Sequence, residues 1–371
     1  MSREAGQYHS RELVTQLSCL LLAPRTSHAG LTGPAALYDV SLNQLSQEEI
    51  AGLLALANSH HVVIRGFEPF LELNRERPGA SRIEWAESAI ATEKARIGRA
   101  LYFLHRICAA FHDRGYDATV MKTLDHWPDF GSDLDLYTNA PGADISRLME
   151  DRFAAKVQQR SWGDCLANKW NFSIPGLPEA VEIHVSRLGQ TGEQVGIAAA
   201  LASRARQVTV GGYQFQVPSI SDRLMISTLQ RMYRHFNFRL CDIVDTMQIG
   251  DGGAIDYANL KFLASAAGIW EGVATYLRVV SDYAAAYRGS GLILPQFVLE
   301  ASRFGGEALY FSKGFLRIPI LPHSARLYGT ELAHTLGRGE FHNSARLSLL
   351  PLLGTAAAAK QQLTGSIHGI W

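Results

Sequence analysis

Apolar residues recur every three or four positions over much of this chain, and the places where that rhythm breaks divide it. Ile97, Leu101, Leu104, Cys108 and Phe111 mark one face of a long helix over residues 85–113, with Gly115 as a stop. Ser46 followed by Glu49 is a capping-box pattern ahead of Ile50, Leu53, Leu54 and Ala57, so a helix is predicted to begin near residue 47. After Gly115 the period shortens. Residues 118–121 and 133–138 read as strands, the second opening at a Gly131-Ser132 turn. Residues 171–174 and 181–186 are two more, joined through Pro175, Gly176 and Pro178, and 207–210 and 213–217 flank the hairpin pair Gly211-Gly212. From Ser221 the helical rhythm returns, with Met225, Leu229, Met232 and Phe236 on one face and later helices predicted over 239–249, 256–267, 270–287 and 295–304.

These elements predict an α+β protein in three parts. An N-terminal helical region covers residues 1–90, a small mixed β-sheet core with helices covers 91–217, and a C-terminal helical domain covers 218–371. The 371 residues are 47% hydrophobic and 19% charged, ample apolar material for a core. Lys and Arg number 35, as do Asp and Glu, so no overall field favours a long nucleic acid as partner. Cys19, Cys108, Cys165 and Cys241 lie far apart, outside the spacing of disulfide scaffolds or structural zinc sites. The run 347–359 is broken by Ser348, Pro351, Gly354 and Thr355, too short for the roughly 18–20 residues that cross a bilayer. The apolar run at 19–23 is too short for a secretory signal. No membrane partner and a cytoplasmic location are the resulting expectations.

The most informative stretch is MKTLDHWPDFGSDLDLYT, residues 121–138. On a strand, Asp133 and Asp135 share one face while Leu134 and Leu136 enter the core from the other. Two backbones about 6–7 Å apart carry like charges that repel by about 2–3 kcal/mol at an effective dielectric near 20. A divalent cation removes that conflict, and Mg²⁺ prefers carboxylates, water and phosphate oxygens. In VEIHVS, residues 181–186, Glu182 and His184 alternate with Val181, Ile183 and Val185, so Glu182 can supply a third acid. Two ions so held would polarise a nucleotide phosphate and neutralise a departing pyrophosphate. Solvent-facing Asp pairs occur without metal, and a histidine on a polar strand face is commonly structural. What distinguishes these signals is their shared alternation in one α/β region.

Lys122-Thr123, SDLDL at 132–136, EIHV at 182–185 and the helical run 222–245 together resemble the nucleotidyltransferase superfamily that includes DNA polymerase beta and the minimal nucleotidyltransferases. They are most similar to a largely uncharacterised bacterial group of nucleotidyltransferase family proteins, over about residues 90–280. The resemblance implies Asp133, Asp135 and Glu182 as ligands of two Mg²⁺ ions, with an NTP such as ATP as co-substrate. It implies phosphate contacts from Lys122, Thr123 and Ser132. The superfamily places Gly-Ser where this chain has Lys122-Thr123, and the closer group usually has Lys-Gly; threonine lacks glycine's backbone freedom at a tight turn. Arg231, Arg234 and His235 are candidates for the triphosphate, or form a solvated helix face, and His184 and His235 for an acceptor or phosphate contact. Asp242 and Asp245 are expected to cap or pair with the arginines. Trp127, Trp162 and Trp170 are open between lining a pocket and simple packing.

The expected reaction moves a nucleoside monophosphate from an NTP to an acceptor hydroxyl, a small molecule in preference to RNA or protein. A degenerate fold serving as a binding or regulatory module is the rival. A D-x-D glycosyltransferase would need a preceding nucleotide-binding α/β half, which the first 115 residues do not supply. Walker A, G-x-G-x-x-G, H-E-x-x-H and G-x-S-x-G sequences are absent.

Overall fold

The computed structural model of the chain describes residues 2–22, 45–73 and 81–364, so parts of the region expected over 1–90 lie outside the described residues. Helices α1 (Ser2–Leu22), α2 (Gln47–Ser59), α3 (Val63–Leu73) and α4 (Ser81–Asp113) come first. The capping box at α2 forms as expected, Ser46 Oγ accepting from the Glu49 amide and Glu49 returning to the Ser46 amide. Then come β1 (Thr119–Met121), β2 (Asp133–Thr138), α5 (Gly142–Phe153), β3 (Lys156–Val157), α6 (Trp162–Ala167), β4 (Lys169–Ile174), β5 (Leu177–Val185), α7 (Val195–Arg204), β6 (Arg206–Val210) and β7 (Tyr213–Val217).

These strands form one seven-stranded mixed sheet in the order β3-β4-β5-β2-β1-β7-β6. β2 runs parallel to β5 and β1 parallel to β7, while the remaining neighbours are antiparallel. One face is apolar. Leu134 and Leu136 of β2 and Val181, Ile183 and Val185 of β5 are buried in a cluster with Ile97, Leu101 and Leu104 of α4 and Ile145 and Leu148 of α5. Fully burying side chains of this size stabilises the fold by about 1.5–3 kcal/mol each, and strict alternation then turns Asp133, Asp135 and Glu182 to the opposite face.

Beyond the sheet follow α8 (Ile220–Thr228) with its π-helical continuation Leu229–His235, β8 (Asn237–Phe238), α9 (Leu240–Asp251), α10 (Tyr257–Ala266), α11 (Trp270–Arg288), α12 (Gln296–Ala301), β9 (Tyr310–Ser312), β10 (Phe315–Arg317), α13 (Ala325–Gly337), α14 (Phe341–Ser348) and α15 (Leu350–Thr364). Leu17 of α1, Leu53 of α2 and Phe67 of α3 share one hydrophobic cluster with Met225 of α8, Ile243 of α9 and Tyr276 of α11. Helices from both ends of the chain thus enclose a common core. The C-terminal third is not purely helical, which corrects the expectation for that region. β8, β10 and β9 make a second, antiparallel sheet, with Lys313 and Gly314 at positive φ (51° and 77°) closing the β9–β10 hairpin. Buried His60 ties this sheet to the helices, Nδ1 accepting the Leu240 amide at 2.9 Å and Nε2 meeting the Gly314 carbonyl at 2.8 Å. None of the described helices is long and apolar enough to cross a membrane.

Candidate functional site

Parallel pairing of β2 with β5 sets Asp135 directly beside Glu182 in register, and Asp133 stands two residues earlier on the same face. The turn before β2 is held from α4: Arg96 donates to the Gly131 carbonyl at 3.2 Å and the Phe130 carbonyl at 3.3 Å, its guanidinium fixed by Glu93 and Glu179. The Thr123 hydroxyl braces the same strand, accepting the Asp135 amide at 2.8 Å and donating to the Asp133 carbonyl at 3.3 Å. That hydroxyl was expected to hold phosphate and is instead taken up by backbone. Lys122, one residue earlier, has φ 56° and ψ −49°, a sparsely populated conformation for a side-chain-bearing residue. The backbone strain at this turn falls on Lys122, whose ammonium reaches the acids.

Lys122 Nζ lies 2.5 Å from Asp135 Oδ1 and 3.6 Å from Glu182 Oε1. Lys169, a buried lysine on β4, approaches Glu182 Oε2 at 2.6 Å and Asp164 at 3.4 Å. His184 Nε2 meets Glu182 Oε1 at 2.7 Å and stands 3.9 Å from Asp135. Burial is the largest influence on Asp135 and, with Glu182 and Asp133 nearby, pushes its carboxyl up to about 7 against the pull of Lys122. Burial acts upward on Glu182 as well, but Lys169, Lys122 and His184 outweigh it and hold that carboxyl well below its ordinary range. For Lys122 burial works against the charge, and Asp135 and Glu182 overcome it, so its pKa is raised. Burial lowers His184 to about 4, leaving a neutral ring.

Asp133, Asp135 and Glu182 line one cleft of about 180 Å³ together with Lys122, Thr123 and Ser132 and, from the π-helical turn and beyond, Arg231, Arg234, His235 and Arg239. Exposed Asp133 sits near Ser132, whose hydroxyl donates to it at 3.4 Å. The sequence places Arg231 and Arg234 on one helical face, but the wider π-helical turn spreads residues three apart in different directions. Arg231 is buried against Asp242 at 2.8 Å, so it is not free for a ligand, whereas Arg234 has no carboxylate partner among the described residues. Arg239 follows the π-helical turn and lines the same cleft. Its Nη1 meets His61 Nε2 at 2.5 Å, its guanidinium lies over the Phe315 ring, and its Nε is buried without a partner. Asp242 also accepts the Arg239 amide at the start of α9, the capping and pairing role expected of it. Lys169 was missed, since a lysine before Trp170 in a strand carries no motif. None of the three tryptophans lines this cleft: Trp162 is exposed, and Arg160 lies over the Trp170 ring.

A second cluster of metal-ligating types, His126, Cys241 and Asp245, lies at the far end of the same turn. Its oxygens are already occupied: His126 Nδ1 and Arg65 Nη1 each reach Asp245 at 2.5 Å, with Arg223 at 3.7 Å. Burial acts upward on Asp245, but Arg65 and His126 outweigh it and bring its carboxyl down to about 2. Arg65 also ion-pairs with Asp129 at 3.0 Å, and Asp129 accepts the Ile64 and Arg65 amides at the start of α3. Asp245 therefore pairs with arginines, although not with those the sequence suggested.

Comparison with models of known families, with curated proteins and with solved structures gives no match for this chain. The chemistry must be read from the cleft. Hard carboxylate oxygens gathered on one strand pair suit a hard divalent cation, and the facing arginines suit phosphate oxygens. The groups whose ligand atoms lie close enough to share one ion are Asp135, Glu182 and His184, with Asp133 on the same cleft wall, so these donors fit a metal provided the Lys122 ammonium withdraws from Asp135.

Proposed function

We propose that this chain is a magnesium-dependent nucleotidyltransferase built on a nucleotidyltransferase-like core, transferring a nucleoside monophosphate from an NTP to an acceptor hydroxyl with release of pyrophosphate. The observation that carries this reading is the convergence of Asp133, Asp135 and Glu182 on one face of the β2–β5 pair, opposite Arg234 and Arg239 across one cleft. In this reading the three carboxylates hold Mg²⁺, which supplies neutralisation of the phosphate oxygens and of the leaving pyrophosphate. Arg234 and Arg239 receive the phosphate chain, exchanging partial hydration for charge-assisted hydrogen bonds. Lys122 follows the phosphates when it leaves Asp135, so its positive charge moves with the substrate. Lys169 and His184 stay on Glu182 and fix its carboxylate plane.

The test is pyrophosphate release from ATP, CTP, GTP and UTP with cell extract as the source of acceptor. Turnover is expected with at least one NTP, to depend on Mg²⁺, and to fall at least 100-fold in Asp133→Asn and in Asp135→Asn. Wild-type turnover in both variants refutes the reading. One observation favours a second reading, a nucleotide-binding module without transfer: the Lys122 ammonium sits against the acid pair and the Thr123 hydroxyl is spent on backbone. That module binds NTP and releases no pyrophosphate.

A further inference from the structure

A cavity of about 670 Å³ opens where α1, α11 and the β9–β10 hairpin meet, and it shares no described lining residue with the carboxylate cleft. Pockets that take small molecules commonly measure about 300–1,000 Å³. Three elements each turn one face to it. Arg11, Val14 and Thr15 are spaced i, i+3 and i+4, so they lie on one side of α1. Tyr283 and Tyr287, one turn apart, do the same on α11; their rings are 5.0 Å apart, and the Tyr283 hydroxyl is anchored at 2.7 Å on Ser18 of α1. Phe311 and Leu316 are register partners across the hairpin and therefore share one face of the second sheet. The walls are held by the fold itself, because Val14, Tyr283 and Leu316 are buried members of the main hydrophobic cluster. Arg11 is the one charged residue in the described lining, and it has no carboxylate partner among the described residues.

We infer that this cavity is a binding site for a planar aromatic carboxylate, its rings lying against Tyr283, Tyr287 and Phe311 and its anionic group paired with Arg11. Aromatic walls reward a flat ring, which meets them in offset or edge-to-face contact. A flexible apolar chain of similar size would lose more rotamer freedom for the same burial. The uncompensated guanidinium on the α1 face, with no acid in the described lining to balance it, selects an anion over a neutral or cationic ligand. The cavity would hold such a ligand whether or not the carboxylate cleft transfers nucleotides.

Calorimetry of the full chain with 2-naphthoate, 2-naphthamide and octanoate tests each ingredient, since the amide keeps the rings without the charge and octanoate keeps the charge without the rings. Naphthoate should bind saturably at one site, with the amide and octanoate each about five-fold weaker or more. Arg11→Gln should weaken naphthoate about ten-fold and leave the amide unchanged, the loss of one charge-assisted contact. Thr15→Trp, at an exposed position of α1, fills the cavity from that side and should abolish naphthoate binding at an unchanged melting temperature. No saturable binding, or amide or octanoate binding as tightly as naphthoate, overturns the inference. So does naphthoate binding undiminished in Arg11→Gln, which would place it at the arginines of the carboxylate cleft instead. Wild type and Arg11→Gln decide the matter even if Thr15→Trp loses its fold.

Discussion

One short turn, Thr123–His126, separates two clusters built from the same residue types with opposite electrostatic outcomes. At its far end His126, Arg65 and Arg223 surround Asp245, and the carboxyl is drawn down to about 2. At its near end burial, with Glu182 and Asp133 nearby, pushes the Asp135 carboxyl up to about 7 against the pull of one lysine. In the first cluster the fold stabilises the Asp245 charge; in the second it opposes the charge on Asp135, while Lys169, Lys122 and His184 stabilise the one on Glu182. The lesson is that residue type does not separate a strut from a site. Whether the surrounding protein has already supplied the counter-charges does, because a cluster that still repels itself is one that a cation from solution can stabilise.

The largest effect that sharpens this contrast is loss of the strut. Asp245→Ala removes the acid shared by Arg65, Arg223 and His126, leaving Arg65 to Asp129, Arg223 to Asp125 and the buried His126 without its carboxylate, and should cost about 3–5 kcal/mol in urea unfolding. A cost under about 1 kcal/mol would mean the two clusters are alike. Next is acid sensitivity. With a folded value of about 2 against an ordinary 3.8, Asp245 contributes about 2 kcal/mol that is fully present above pH 3.8 and lost as pH falls through about 2. Unfolding midpoints measured from pH 5 to pH 2 should show that loss, and Asp245→Asn should lack this component of it. Smaller again is the response of Lys122→Met. Without its ammonium the acid pair repels more strongly, so added Mg²⁺ should raise the melting temperature of this variant more than that of the wild type, by the equivalent of about 1 kcal/mol. Equal shifts would break the link between Lys122 and the metal seat. Smallest is Asp133→Asn, whose exposed side chain should change stability by less than about 0.5 kcal/mol without metal.

Much of the sheet was legible because its alternation is local. The strands at 133–138 and 213–217 have the boundaries their patterns predict, and the shared face of Asp133 and Asp135 follows from that alternation alone. That Glu182 stands beside Asp135 needed the pairing of β2 with β5, which the sequence could only suggest. The three-residue strands β9 and β10 are too short for alternation to mark them, although two successive residues at positive φ, Lys313 and Gly314, make their turn. The sharing of one core by α1, α2 and α3 with α8, α9 and α11 is a long-range choice that no window of periodicity contains. The inward turn of Arg231 was hidden for a different reason. A π-helical segment breaks the 3.6-residue rule by which its face was read.

The central claim is that Asp133, Asp135 and Glu182 form a seat for magnesium beside a nucleotide, and calorimetric titration of ATP, CTP, GTP and UTP into wild type and Asp135→Asn, each with and without Mg²⁺, tests it most directly. The account predicts that at least one NTP binds the wild type at least ten-fold tighter with Mg²⁺ than without, and that Asp135→Asn abolishes this difference while keeping its fold. Binding that is indifferent to Mg²⁺ in the wild type, or a magnesium effect undiminished in the variant, would contradict it.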